Sequence, residues 1–172
     1  MFRLANTNDL PNISAIYDRI HTQEEAGMTT TGWIREIYPT EQTAARAIDH
    51  REMYVLEEGG KVVACGRINQ MQDECYCEGA WNYPAEPYQV MVLHTLVVDP
   101  EFARMRYGTK FLRFYEQFSK EHDCPYLRID TNARNTRARA FYQKHGYCEV
   151  GIVPCEFNGI AGVDLVLLEK KV

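Results

Sequence analysis

The chain has 172 residues, 45% of them hydrophobic, and a net charge of −5 at neutral pH, which suits one domain over 1–172 with an ordinary core. The acid excess argues against nucleic-acid binding, which needs a basic face, and favours an amine or another cationic substrate. No apolar run approaches a membrane span (the longest covers 90–98), and Met1–Leu4 opens no secretory apolar region, so the expected location is the cytoplasm, with no membrane contact.

Phe2 to Ala5 reads as a short strand, and Asn6-Thr7-Asn8-Asp9 as capping residues. Helical spacing follows through Leu10, Ile13, Ile16, Tyr17 and Ile20, with Pro11 tolerated in the first turn. His21 to Tyr38 is irregular and carries Trp33. Pro39-Thr40-Glu41 opens a second helix that ends near Arg51. Met53–Glu57 and Lys61–Asn69, joined by Glu58-Gly59-Gly60, read as a hairpin. Gln70 to Tyr88 is acidic and aromatic, with Pro84 and Pro87, and reads as a long connection.

An apolar strand, Val90 to Val98, stops at Asp99-Pro100. After a short arginine-bearing turn, Tyr107, Phe111, Phe114, Tyr115, Phe118 and His122 recur at helical spacing. Tyr126–Asp130 is a further strand. Asn135 then precedes a helix that Gly146 terminates, and Tyr147–Val153 and Gly162–Leu168 close the sheet. The six cysteines are scattered; the Cys75/Cys77 pair has no second pair at metal-ligand spacing, so the thiols read as reduced and no metal is expected.

A strand–helix–strand unit from 90 to 130 implies a parallel pair beside antiparallel neighbours. Parallel strands that splay at their C-terminal ends leave a crevice that ligands favour. The turn at 99–108 also delivers the chain onto a helix N-terminus, where unpaired N–H groups and the helix dipole suit an anion such as a phosphate.

Three segments carry a family resemblance. Leu93-His94-Thr95-Leu96-Val97-Val98-Asp99-Pro100 enters Tyr107-Gly108-Thr109; Asn135-Thr136-Arg137-Ala138-Arg139-Ala140-Phe141-Tyr142-Gln143-Lys144-His145-Gly146-Tyr147 follows later; and Arg3 to Pro11 opens the chain. Together they resemble the GNAT superfamily of N-acetyltransferases. The second segment is the most specific, close to N-x-x-A-x-x-x-Y-x-K-x-G-F/Y. The resemblance implies an α+β, three-layer fold: a mixed, mostly antiparallel sheet of about six or seven strands flanked by helices, with one parallel pair splayed at the cofactor site. The first segment departs from the family's Arg/Gln-x-x-Gly-x-Gly/Ala loop, since Ala103 and Arg106 stand at its first two defining positions and only Gly108 matches.

The resemblance implies acetyl-CoA as co-substrate and direct acetyl transfer to a primary amine in a ternary complex. Main-chain groups of Leu96, Val97 and Val98 would hold the pantetheine arm. The loop of Arg104, Met105, Arg106, Tyr107, Gly108 and Thr109 would hold the pyrophosphate, and Asn135 would add a hydrogen bond. Tyr142 would protonate the departing thiolate, with a core tyrosine as its plain structural role. Lys144 is a candidate for the adenosine phosphates. His94 is a candidate base because the usual histidine pKa lies near 7 and it shares a strand face with Leu96 and Val98; Glu78, Glu24 and Glu25 are further candidates. Trp33, Tyr38 and Trp81 are candidate walls of an acceptor pocket. The acceptor is read as a small-molecule or peptide amine, and a homodimer is an expectation of the resemblance alone. The changed loop leaves a second reading open, a CoA-binding interaction module without catalysis.

Overall fold

The computed structural model describes residues 1–172. Seven strands form one sheet in the order β1-β2-β3-β4-β5-β7-β6: β1 Phe2–Leu4, β2 Met53–Glu58, β3 Lys61–Asn69, β4 Val90–Val98, β5 Tyr126–Asn132, β6 Cys148–Phe157 and β7 Ile160–Lys171. Four helices flank it: α1 Leu10–Glu25, α2 Glu41–Asp49, α3 Tyr107–Glu121 and α4 Thr136–Lys144. Every pairing is antiparallel except β4–β5. This is the mixed, helix-flanked sheet the motifs imply. The closing hairpin is longer than its sequence signal, because Asn158-Gly159 alone makes the turn and β6 and β7 pair up to Phe157↔Ile160. No helix is long and apolar enough to cross a membrane.

Local chemistry explains the element ends. The Asn6 side chain accepts from the Asn8 N–H while the Asp9 carboxylate accepts from the Asn6 N–H, which fixes the chain's entry into α1. Thr40 and Thr43 cap α2 reciprocally. The Asn135 carbonyl accepts from Ala138 N–H at 3.1 Å and starts α4; Gly146, at φ +84°, ends it.

Two cores lie on opposite faces of the sheet. On one, α3 buries Tyr107, Phe111, Leu112 and Tyr115 against Leu93, Leu127, Ile129 and Leu168. Phe114 and Phe118 of the same helix lie at the margin, where Phe2 stacks on Phe114 at 4.4 Å. On the other face, α1 and α2 bury Ile13, Ile16, Ala44 and Ala47 against Met53, Val55, Cys65 and Val97. The sheet edge carrying β6 and β7 has its own cluster, which the 70–88 connection covers with Tyr76.

Two features of β4 create the site. It pairs with β5 only from Val90↔Tyr126 to Leu93↔Ile129, so the strands part beyond Leu93. Its ladder with β3 also slips: Arg67 faces His94 and Cys65 faces Val97, leaving Gly66 opposite Thr95 and Leu96. That bulge puts Thr95 at φ +52°, a rare conformation for a β-branched residue. A hydrogen bond between the Tyr38 hydroxyl and Thr95 Oγ1 secures it.

Candidate active site

Beyond Leu93, the β5 side of β4 borders a cavity of roughly 540 Å³ rather than a strand. Its walls include Leu96, Val97, Val98, the whole of Arg104–Thr109, Asn135 and Tyr142, so of the residues read from sequence as cofactor candidates the structure brings all but Lys144 into one groove. Arg106 is the N-cap of α3 and makes no side-chain cap, so the first N–H groups of the helix are free for an outside acceptor. Arg104 and Arg106 both take left-handed backbone, φ +66° and +59°, and both side chains are exposed. The loop therefore achieves, with arginines, a turn that would ordinarily use glycine. The cost is local strain; the gain is two guanidinium groups at an anion site.

This loop is anchored from behind. Asp99 is 2% exposed. Its carboxylate accepts from Arg19 Nε and Nη2 at 2.9 and 2.6 Å and caps the Glu101 N–H at 3.0 Å. Gly108 packs closely: a Cβ there would lie 3.1 Å from the Phe141 ring and 3.7 Å from Val98 Cγ2. The Thr109 hydroxyl lies 3.0 Å from His145 Nε2. His145 Nδ1 sits 2.8 Å from the Phe141 carbonyl and must be the protonated nitrogen there, so Thr109 donates to Nε2 and leaves only its main chain facing the groove.

A narrow passage of roughly 90 Å³ leads inward from this groove through the gap between β4 and β5. Leu96, Trp33, Asn135 and Tyr142 line both groove and passage. Tyr38 and Thr95 line the passage and a third, open cavity of roughly 940 Å³ between α1, α2 and the sheet. The three spaces therefore adjoin at the place where the parallel strands part, with the hydrogen-bonded Tyr38–Thr95 pair between passage and outer cavity.

The loop after α1 roofs the passage. The Glu24 carboxylate accepts from the Thr29 and Thr31 hydroxyls and from the Thr31 and Gly32 N–H groups. Burial alone would raise its pKa, but these hydrogen bonds outweigh it and hold the carboxyl below its usual range. Gly32, at φ +75°, lies so near the Asn132 amide that a Cβ would come within 2.3 Å of it.

At the inner end of the passage Asp73, His94 and Asp130 meet, each offering an atom within 4.8 Å of the others. Burial raises the Asp130 carboxyl to about 7; the Asp73 charge adds to this, and the Tyr76 hydroxyl, donating at 2.7 Å, opposes it. Asp73 is raised by burial too, partly countered by Arg67. Burial, with the Arg67 charge adding to it, lowers His94 to about 4. His94 Nε2 lies 3.0 Å from Asn69 Oδ1, whose own amide donates to Glu52, so Nε2 carries the proton.

These placements sort the sequence candidates. Tyr38 lines the outer cavity and the passage, while Trp33 stands at the passage and groove. Trp81 lies outside all three: its indole N–H donates to Tyr76 O at 2.7 Å and its ring covers the Arg128 guanidinium at 3.8 Å. His94 does not share a face with Leu96 and Val98: the bulge at Thr95 leaves those two against the α3 core and His94 in the cavity beside α1 and α2, and burial makes it a weak base. Glu78 is exposed on the 70–88 connection, Glu24 is the loop anchor and Glu25 pairs with Arg35. Lys144 is exposed and absent from the groove walls. Sequence reasoning missed Asp73, Tyr76 and Asp130. One signal was available, a carboxylate at Asp130 near the C-terminal end of a strand that follows the Val90–Val98 strand and its helix.

A mixed sheet parted at its one parallel pair, with a groove on one side and a cavity on the other, is the architecture of the acetyltransferases. Residues 15–147 match the acetyltransferase (GNAT) family, and the chain belongs to it. It is similar in structure to a GNAT-family acetyltransferase from Streptococcus agalactiae, with a TM-score of 0.83 at 22% identity over 100% of this chain and 95% of the other. It also resembles the ribosomal-protein-S18-alanine N-acetyltransferase of Escherichia coli, with a TM-score of 0.71 at 18% identity over 100% and 93%. The ribosomal-protein-alanine N-acetyltransferase of Brucella melitensis matches with a TM-score of 0.70 at 19% identity over 100% and 99%.

Proposed function

We propose that this acetyltransferase takes the acetyl group of acetyl-CoA and passes it to a primary amine, small-molecule or peptide-borne, by direct attack within a ternary complex. The observation that carries this reading is the line of adjoining spaces where the parallel strands splay, an anion-suited groove on one side, a narrow passage between, and a polar, acid-bearing cavity on the other. Two substrates entering from opposite faces meet at Thr95–Leu96, where holding them together removes most of the entropic barrier to reaction.

The groove fits acetyl-CoA on its donor set. The uncapped start of α3 and the Arg104 and Arg106 side chains offer N–H groups and positive charge to a pyrophosphate. Main-chain groups of Leu96 and Val98 lack a β5 partner and are free to pair with an amide-bearing arm, while Val97 faces Cys65 across the β3 ladder. Asn135 spends its carbonyl on the helix cap and keeps its amide N–H groups for the ligand. Tyr142 stands where groove and passage join. Burial raises its pKa, with the Asp130 charge adding, so the phenol stays protonated at neutral pH and holds a proton for the leaving sulfur. Acetyl-CoA supplies the activated acyl carbon.

The test is a thiol-release assay with acetyl-CoA and a panel of amines, run beside a thermal-shift titration. Turnover with at least one amine is the expected result. A thermal shift with no release for any amine would leave only the non-catalytic CoA-binding module, and no shift at all would refute the groove assignment.

A further inference from the structure

Asp73 and Asp130 are two carboxylates at one point, and neither joins an ion pair. The nearest cation is Arg67, whose Nε is committed to Glu52 at 2.7 Å. Asp130 Oδ2 accepts from Tyr76; the Arg67 charge reaches Asp73 alone, and no Lys or Arg of the protein forms an ion pair with either carboxylate. The elements packed around Asp130 do not answer it either. From β7 its partner is Leu167, and from β4 it meets neutral His94. Tyr38, Tyr142, Cys75 and Cys155 are the remaining titratable groups close enough to feel its charge, and none of these carries a positive charge at neutral pH. A polar site left short of one cation, and opening on both passage and outer cavity, calls for a cation from outside.

We infer that Asp130, supported by Asp73, receives the acceptor as an aliphatic primary ammonium ion and takes its proton, so the substrate class is a charged alkylamine and not an arylamine or an alcohol. This rests on the acetyl-transfer reading above and adds the identity of the base and the charge of the acceptor. An arylamine is uncharged at neutral pH and gives the acid pair nothing to neutralise; an alkylammonium matches it.

The proton count closes. The ammonium gives one proton to Asp130, which later releases it to solvent. The freed lone pair forms the C–N bond at the thioester carbonyl carbon as the C–S bond breaks. The second proton lost by nitrogen balances the one the leaving thiolate gains, by way of the Tyr142 hydroxyl. The sum is ammonium plus acetyl-CoA giving N-alkylacetamide, CoA thiol and one released proton.

The test compares the wild type with Asp130→Asn and Asp73→Asn. The amide that Asp130→Asn introduces keeps an oxygen for the Tyr76 hydroxyl but cannot accept a proton. The wild-type kcat/KM for alkylamines should fall below about pH 7, where Asp130 becomes protonated. Asp130→Asn should lose about 100-fold or more at pH 7.5 and lose that acid limb, with the acetyl-CoA thermal shift kept. Asp73→Asn should move the limb to lower pH, because the charge that raises Asp130 is gone. Aniline should be acetylated far more slowly than butylamine. A rate and limb unchanged in Asp130→Asn, or a preference for aniline, would overturn the inference. So would micromolar binding of zinc or manganese alone that Asp130→Asn abolishes, which would make the trio a metal site. If no amine turns over, the acetyl-transfer reading fails and calorimetry with butylammonium in the presence of CoA decides this one: binding lost in Asp130→Asn supports the ammonium site, and no binding refutes it.

Discussion

Replacing Tyr142 with Phe separates the chemical role of this residue from its structural one. The ring is buried and packs on Phe141 and Tyr147 at centroid distances of 5.4 and 5.9 Å, all of which phenylalanine preserves. The hydroxyl faces the junction of groove and passage and has no hydrogen-bond partner in the protein. Its removal leaves no buried group unpaired, so stability should stay within about 0.5 kcal/mol of the parent. Catalysis has more to lose. Protonation by a positioned side chain contributes about 10²- to 10⁴-fold, or about 3–5 kcal/mol of barrier. Tyr142→Phe should therefore cut the rate of thiol release by about 100-fold or more, with the melting temperature and the acetyl-CoA-induced shift nearly unchanged. Single-turnover release at saturating acetyl-CoA is the decisive assay. A rate within threefold of the parent would refute the acid role; a large fall in melting temperature would refute the packing account.

Other expectations concern the scaffold around the site. Arg19→Met leaves the Asp99 carboxylate buried with only the Glu101 N–H, and should cost about 2–3 kcal/mol in chemical denaturation and weaken acetyl-CoA binding through the loop it anchors. Gly32→Ala places a Cβ against the Asn132 amide at a positive φ, and should destabilise by about 1–2 kcal/mol while slowing turnover; unchanged denaturation would show that the roof loop adapts freely. The Glu24 carboxyl is held below its unfolded value of about 4.3, so its contribution is complete above that pH and disappears as pH falls through the lower folded value. Trp33 fluorescence in a Trp81→Phe background should accordingly report loosening of the roof loop on acidification below about pH 4, and Glu24→Gln should loosen it already at pH 7.

The elements and the residues that come together in the groove beside β4 were legible in the sequence because each is local. The stripe Tyr107, Phe111, Tyr115 fixes which face of α3 is buried, Asn135 caps the very helix it precedes, and Asp99-Pro100 ends the strand that delivers Arg104–Thr109 to the helix start. Spacing of a few residues carries that information, since caps, turns and amphipathic faces are set by near neighbours. The far side of the splayed strands is different. Asp73 and Asp130 meet only because β4 lies parallel to β5 and parts from it after Leu93, and because the 70–88 connection folds back to seat Tyr76 against Asp130. The same fold-back sends Trp81 to cover Arg128, away from the cavity its composition suggested. His94 shows the remaining limit: its position on the strand was readable, but its weakness as a base comes from burial and from Arg67, whose place opposite it is a matter of strand register. Burial and cross-strand charge are properties of packing between distant segments, and no pattern along the chain encodes them by itself.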